Sequence, residues 1–149
     1  MRNGQASVDL VIEKGGNPIV AVEARNVEAP SRQWAAQFLR DILAHGDVPR
    51  SAYFLLALRN RLYLWRDPTT AVSLPDFEGQ TSDALEPYLM RLHRPLDTVS
   101  QSGFEMLIQA WLGELVMGIL PDSGDRKWLV ESGLADAVRD AFIRTKIAA

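Results

Sequence analysis

Ser7-Val8-Asp9-Leu10-Val11-Ile12-Glu13, then Lys14-Gly15-Gly16-Asn17, then Pro18-Ile19-Val20-Ala21-Val22-Glu23-Ala24-Arg25 is the stretch on which the fold turns. Two apolar, β-branched runs flank a Gly-Gly-Asn turn, the signature of a β-hairpin. Folded about that turn, Asp9 falls opposite or nearly opposite Glu23. Alternation then puts Asp9, Glu23 and Arg25 on one face. Side chains paired in this way sit about 5 Å apart. Two carboxylates at that spacing repel unless a positive charge joins them. A divalent cation and Arg25 are the two candidates for that charge. The bland alternative is an ion-pair cluster on the surface, worth little to stability.

Outward from the hairpin, Asn26 to Pro30 read as a short loop. Ser31 has the character of an N-cap, and Arg32 to His45 follow as a helix closed by Gly46. Trp34, Ala35, Phe38, Leu39, Ile42 and Leu43 form its apolar face, with Gln33, Gln37 and Arg40 alongside. Residues 52–57 are a nearly continuous apolar run of strand length, as expected of a strand covered on both sides. Arg59-Asn60 separates it from a further strand over 62–65, so these two form a second hairpin. The first half is therefore β-β-α-β-β, one mixed sheet with the helix crossing over it. Residues 67–81, with Pro68 and Pro75, read as a long surface connection. Ser82 caps a helix over 83–92, in which Pro87 implies a kink or a late start. The clearest helix spans 100–120, with Phe104, Leu107, Ile108, Trp111, Leu112, Leu115, Val116 and Ile119 in one stripe. A shorter helical segment covers 128–143, with a break at Gly133. The expected organisation is one compact domain: an α/β core over 1–66 and a helical extension over 67–149 packed on it. The stripe is wide enough to serve a homodimer interface or the interior of the monomer.

Composition narrows the function classes. The chain has 149 residues and no cysteine, which removes disulfides, thiolate metal sites and cysteine nucleophiles. That absence fits a reducing cytoplasm, the expected location. No apolar run has the roughly 20 residues of a membrane span, and the N-terminus lacks the apolar centre of a signal peptide. A net charge of −3 argues against strong non-specific binding to nucleic acid. Of the 16 basic residues only Lys14, Lys127 and Lys146 are lysine.

Asp9 on one strand, Glu23-Ala24-Arg25 at the end of the next, then a helix and a strand pair resemble the PD-(D/E)xK nuclease superfamily. The nearest likeness is to the nuclease-like N-terminal domain of type I restriction enzyme R subunits. Asp9-Leu10-Val11-Ile12, Val20-Ala21-Val22-Glu23 and Arg61-Leu62-Tyr63-Leu64-Trp65 carry it, over about residues 5–66. The resemblance implies an α/β, restriction-endonuclease-like fold. It implies Mg²⁺ or Mn²⁺ held by Asp9, Glu23 and the Ala24 carbonyl. It further implies a metal-activated water attacking a DNA phosphodiester, with Arg25 at the motif's cation position and Gln37 orienting the site. The associated role is bacterial restriction or defence.

Three features depart from the pattern. Arg25 replaces the motif lysine, and a guanidinium stays charged and cannot take up a proton; the helix over 32–45 carries no lysine to replace it. The helix and strand that usually precede the Asp strand have no counterpart in Met1 to Ala6. Val8 stands where a proline is common. Two functions follow: a metal-dependent endonuclease, or the same fold with a degenerate site, used for dimerisation or partner binding. Nucleic-acid binding without cleavage is a third.

Other candidates carry less. His45 and His93 read as helix-end residues. Ser100 and Ser102 have no His/Asp arrangement beside them. Arg59, Arg61 and Arg66 read as basic residues of edge strands. Trp34, Phe38, Trp111 and Trp128 read as core.

Overall fold

Gly15 and Gly16 take φ of +61° and +81°, a two-residue turn whose twist suits a hairpin and which glycine enters without strain. They join β1 (Leu10–Lys14) to β2 (Asn17–Arg25) in antiparallel register, Leu10 opposite Val22 and Val11 opposite Ala21, with an irregularity between Ile12 and Glu13. This computed structural model describes residues 8–46, 48–68 and 73–145. Ser7, Asp47 and part of the expected connection over 67–81 lie outside the described residues.

Helix α1 (Arg32–His45) starts where the Ser31 hydroxyl accepts from the Trp34 N–H, and ends where the Gly46 N–H donates to the Ile42 carbonyl. It crosses over the sheet, so β3 (Tyr53–Leu58) returns parallel to β2, and β4 (Arg61–Arg66) folds back antiparallel to β3. The β-β-α-β-β reading is what this half adopts.

The second half departs from the expectation of helices alone. The stretch read as surface connection contains β5 (Phe77–Gln80), antiparallel to β4. The end of the segment read as helical is β6 (Phe142–Thr145), antiparallel to β1. Between them lie α2 (Thr81–Leu92), α3 (Gln101–Val116), α4 (Asp125–Glu131) and α5 (Leu134–Val138). Helix α2 starts at Thr81 rather than late. It runs on past Pro87, which withholds one N–H from the helical ladder. Gly133 at φ +82° divides α4 from α5, the break that the sequence marks. Asp140, at φ +61°, turns the chain out of helix and into β6.

The six-stranded mixed sheet runs β5-β4-β3-β2-β1-β6. On one face α1 packs Ala35, Leu39 and Ile42 against Val11, Ala21, Phe54, Leu56 and Trp65. On the other, α2 to α5 cover Ile12, Val20, Val22, Leu55 and Leu64. The stripe of α3 is buried here, with Phe104, Ile108 and Leu112 at most 1 % exposed. Ile119 lies beyond the helix and is exposed. Among the described residues no helix is long and apolar enough to cross a membrane.

Candidate active site

Covered on both faces, β2 is buried from Val20 to Ala24, and that burial takes a carboxylate with it. Glu23 is 2 % exposed and lies beside Leu56 of β3 in the parallel register. Two residues on, and so on the same face, Arg25 donates from Nε to Glu23 Oε2 at 2.5 Å. Its side chain is 46 % exposed. The guanidinium lies 5.7 Å above the Phe38 ring of α1, a cation–π contact. Phe38 in turn stacks on Trp34 with ring centres 5.2 Å apart.

Asp9 does not join that face as the alternation predicts. The chain bends there, and the Asp9 N–H donates to the Val22 carbonyl at 3.0 Å. The bend resets the alternation, so Val8 and Val11, three residues apart, share the α1-side core. Asp9 Oδ2 instead accepts from the Ala24 N–H at 2.8 Å. With Ala24, Ser102 and Glu105 it lines a cleft of about 280 Å³ beside α3. Asp9 thus reaches the main chain between Glu23 and Arg25 from the start of β1, while those two residues occupy the α1 face.

Gln37 turns elsewhere. Its amide donates to Asp41 Oδ1, one turn along the exposed side of α1, at 3.1 Å. The arginines of the second hairpin are not on an edge either, because β5 lies outside β4. Arg59 donates to the Asn26 side chain and carbonyl, and Arg61 with Arg32 pairs to Glu78.

Sequence reasoning missed the contribution of α3. The Gln101 amide donates to the Ala24 carbonyl at 2.9 Å and to Glu105 Oε2 at 2.7 Å, and accepts from the Asn26 N–H at 2.8 Å. A single glutamine at a helix start has no pattern that would mark it. Far along the sheet, Asp125 was missed as well. It is 2 % exposed, and its Oδ1 accepts from the Gln80 N–H at 2.8 Å. Burial raises its pKa above the usual 3.8, the Gln80 N–H bond and the nearby Trp128 indole oppose that, and the negative charge of Asp83 adds to it.

The end of β2 carries oxygen donors of the kind a hard divalent cation takes: the Asp9 carboxylate on the cleft side, the Glu23 carboxylate on the α1 face and the Ala24 carbonyl. Among the described residues there is no group of three or more His, Cys, Asp or Glu placed to hold a metal.

No family model matches the chain. Searches of curated proteins and of solved structures gave no significant match.

Proposed function

We propose that the end of β2 is a metal-dependent phosphodiester-cleaving site of restriction-endonuclease type, acting on DNA in bacterial restriction or defence. One observation carries the reading: Asp9 bonds the main chain of the residue between Glu23 and Arg25. The three residues of the motif thus lie at one strand end, Asp9 on the cleft side and Glu23 with Arg25 on the α1 face. The sheet adds support, since β6, β1 and β2 are antiparallel in turn, β3 is parallel to β2, and α1 forms the crossover. A helix and a strand are expected before the Asp strand. In this reading helix α3 and strand β6 would take the part of that pair, β6 lying next to β1.

In this reading Asp9, Glu23 and the Ala24 carbonyl hold Mg²⁺ or Mn²⁺. When bound, the metal supplies an activated water and offsets charge on the phosphate. Arg25 takes no proton. Its guanidinium moves from Glu23 to the anionic phosphate, an acceptor of matching geometry, and stabilises charge there. A cytoplasmic location goes with such a substrate. The purified protein is expected to nick plasmid DNA with Mg²⁺ or Mn²⁺, and Glu23→Gln to abolish the nicking. Failure to cut either DNA or RNA with both metals overturns the reading.

The Glu23–Arg25 pair favours a second reading. A guanidinium already supplies the positive charge that the buried Glu23 carboxylate requires, so the same fold can serve as a silent dimerisation or partner-binding module. Its marks are absence of Mn²⁺ binding at millimolar concentration and a stable dimer by light scattering.

A further inference from the structure

We propose that Gln101 is a positioning residue for this site, holding the main chain on both sides of Arg25; this rests on reading the end of β2 as the reactive end. Antiparallel pairing between β1 and β2 reaches Leu10 opposite Val22 and then stops, because the chain bends at Asp9. Beyond it the β1-facing groups of β2 need new partners. The Ala24 N–H finds Asp9 Oδ2. The Ala24 carbonyl and the Asn26 N–H, which flank Arg25, both find the amide of Gln101. In a parallel ladder one residue of a strand bonds the carbonyl before, and the N–H after, the residue beside it. A side-chain amide makes the same two bonds here, so Gln101 extends the sheet by one rung where β1 has left it.

The amide can adopt only one orientation. Its NH₂ group faces two acceptors, the Ala24 carbonyl and Glu105 Oε2, and its oxygen faces a donor, the Asn26 N–H. A flip would set donor against donor and acceptor against acceptor. Asn26 is anchored further by its own donation to the Val99 carbonyl and by both contacts from Arg59. Arg25 is therefore carried on a fixed length of main chain, which aims its half-exposed side chain at Glu23 and Phe38. The bond to Ala24 also keeps that carbonyl turned toward α3 and the cleft that Asp9 lines.

Gln101 lies at the exposed start of α3, so Gln101→Met removes the three hydrogen bonds while retaining side-chain length. The readout is the Arg25 Nε–H resonance, whose rate of solvent exchange reports the bond to Glu23. Exchange is expected to accelerate by about fivefold or more, as loss of an ordinary hydrogen bond gives. Asn60→Ala is the control. Asn60 makes two comparable bonds, to the Ala29 N–H and carbonyl, away from the site, and its loss is expected to leave the resonance unmoved. In the cleavage assay Gln101→Met is expected to lower kcat by about tenfold with KM unchanged, the effect of a misplaced group. If the wild-type protein does not cut, the function fails, and the Arg25 resonance still decides the role of Gln101. An unchanged resonance in Gln101→Met, or an equal change in Asn60→Ala, overturns the proposal.

Discussion

Glu23 and Asp125 are equally buried, 2 % exposed each, yet they are held in opposite ways. Glu23 sits in β2 with a guanidinium two residues along the same strand. Asp125 sits at the start of α4, beneath the outermost strand β5, with a main-chain N–H as its partner and another acid, Asp83, nearby. One carboxylate is buried with a counter-charge. The other meets a main-chain N–H, and burial raises its pKa, with the charge of Asp83 adding to the rise. Burying a charge is costly, and proteins either pair it or let it go neutral. The difference is one of partner: Asp125 fastens β5 to α4 through a main-chain N–H, whereas Glu23 holds a charged pair on the α1 face of β2.

The comparison breaks first through the wall that buries Glu23. Leu56, its neighbour in register, is fully buried, and Leu56→Ala is expected to cost about 2–5 kcal/mol, read from urea denaturation. A loss below about 1 kcal/mol would mean that the interior around Glu23 is looser than described. Next comes the counter-charge. Arg25→Met takes the ion pair from a buried carboxylate and is expected to cost about 1–3 kcal/mol, less than for a fully buried pair because the Arg25 side chain is half exposed. An unchanged urea midpoint would show that the pair is no more than a surface contact.

The smallest effect is at the other carboxylate. The folded pKa of Asp125 lies above 3.8, so between 3.8 and that raised value the native state binds the proton more tightly than the unfolded chain. The contribution of this group to stability therefore falls as pH rises through that window. Asp125→Asn keeps an acceptor for Gln80 and has no charge to bury. Its stability is expected to decline less than that of the wild type from acidic to neutral pH. Parallel stability curves for the two proteins would remove the contrast with Glu23.

Much of the first half was legible because its signals are local. Gly15-Gly16, the cap Ser31 and the apolar runs over 52–57 and 62–65 each act within a few residues of themselves. The two added strands were not legible for the same reason. Phe77–Gln80 is four residues long with polar residues at 78 and 80, and it becomes a strand by pairing with β4. Phe142–Thr145 follows a helix and becomes a strand because β1 offers an open edge. At the site, the Glu23–Arg25 pairing followed from a spacing of two in a strand. The position of Asp9 did not follow, because a single bend reverses the face of a side chain. Gln101 is 77 residues from the carbonyl that it binds, and Gln37 turned to its own helix because Asp41 lies one turn away.

By itself the sequence determined the hairpin, the crossover helix, the second hairpin and the buried face of α3, since turn chemistry and apolar periodicity act over short spans of chain. Only the tertiary structure decided which strands complete the sheet, where Asp9 points and which helix grips the end of β2. Those outcomes depend on unpaired main-chain groups finding partners far away in sequence, and no local pattern records that search.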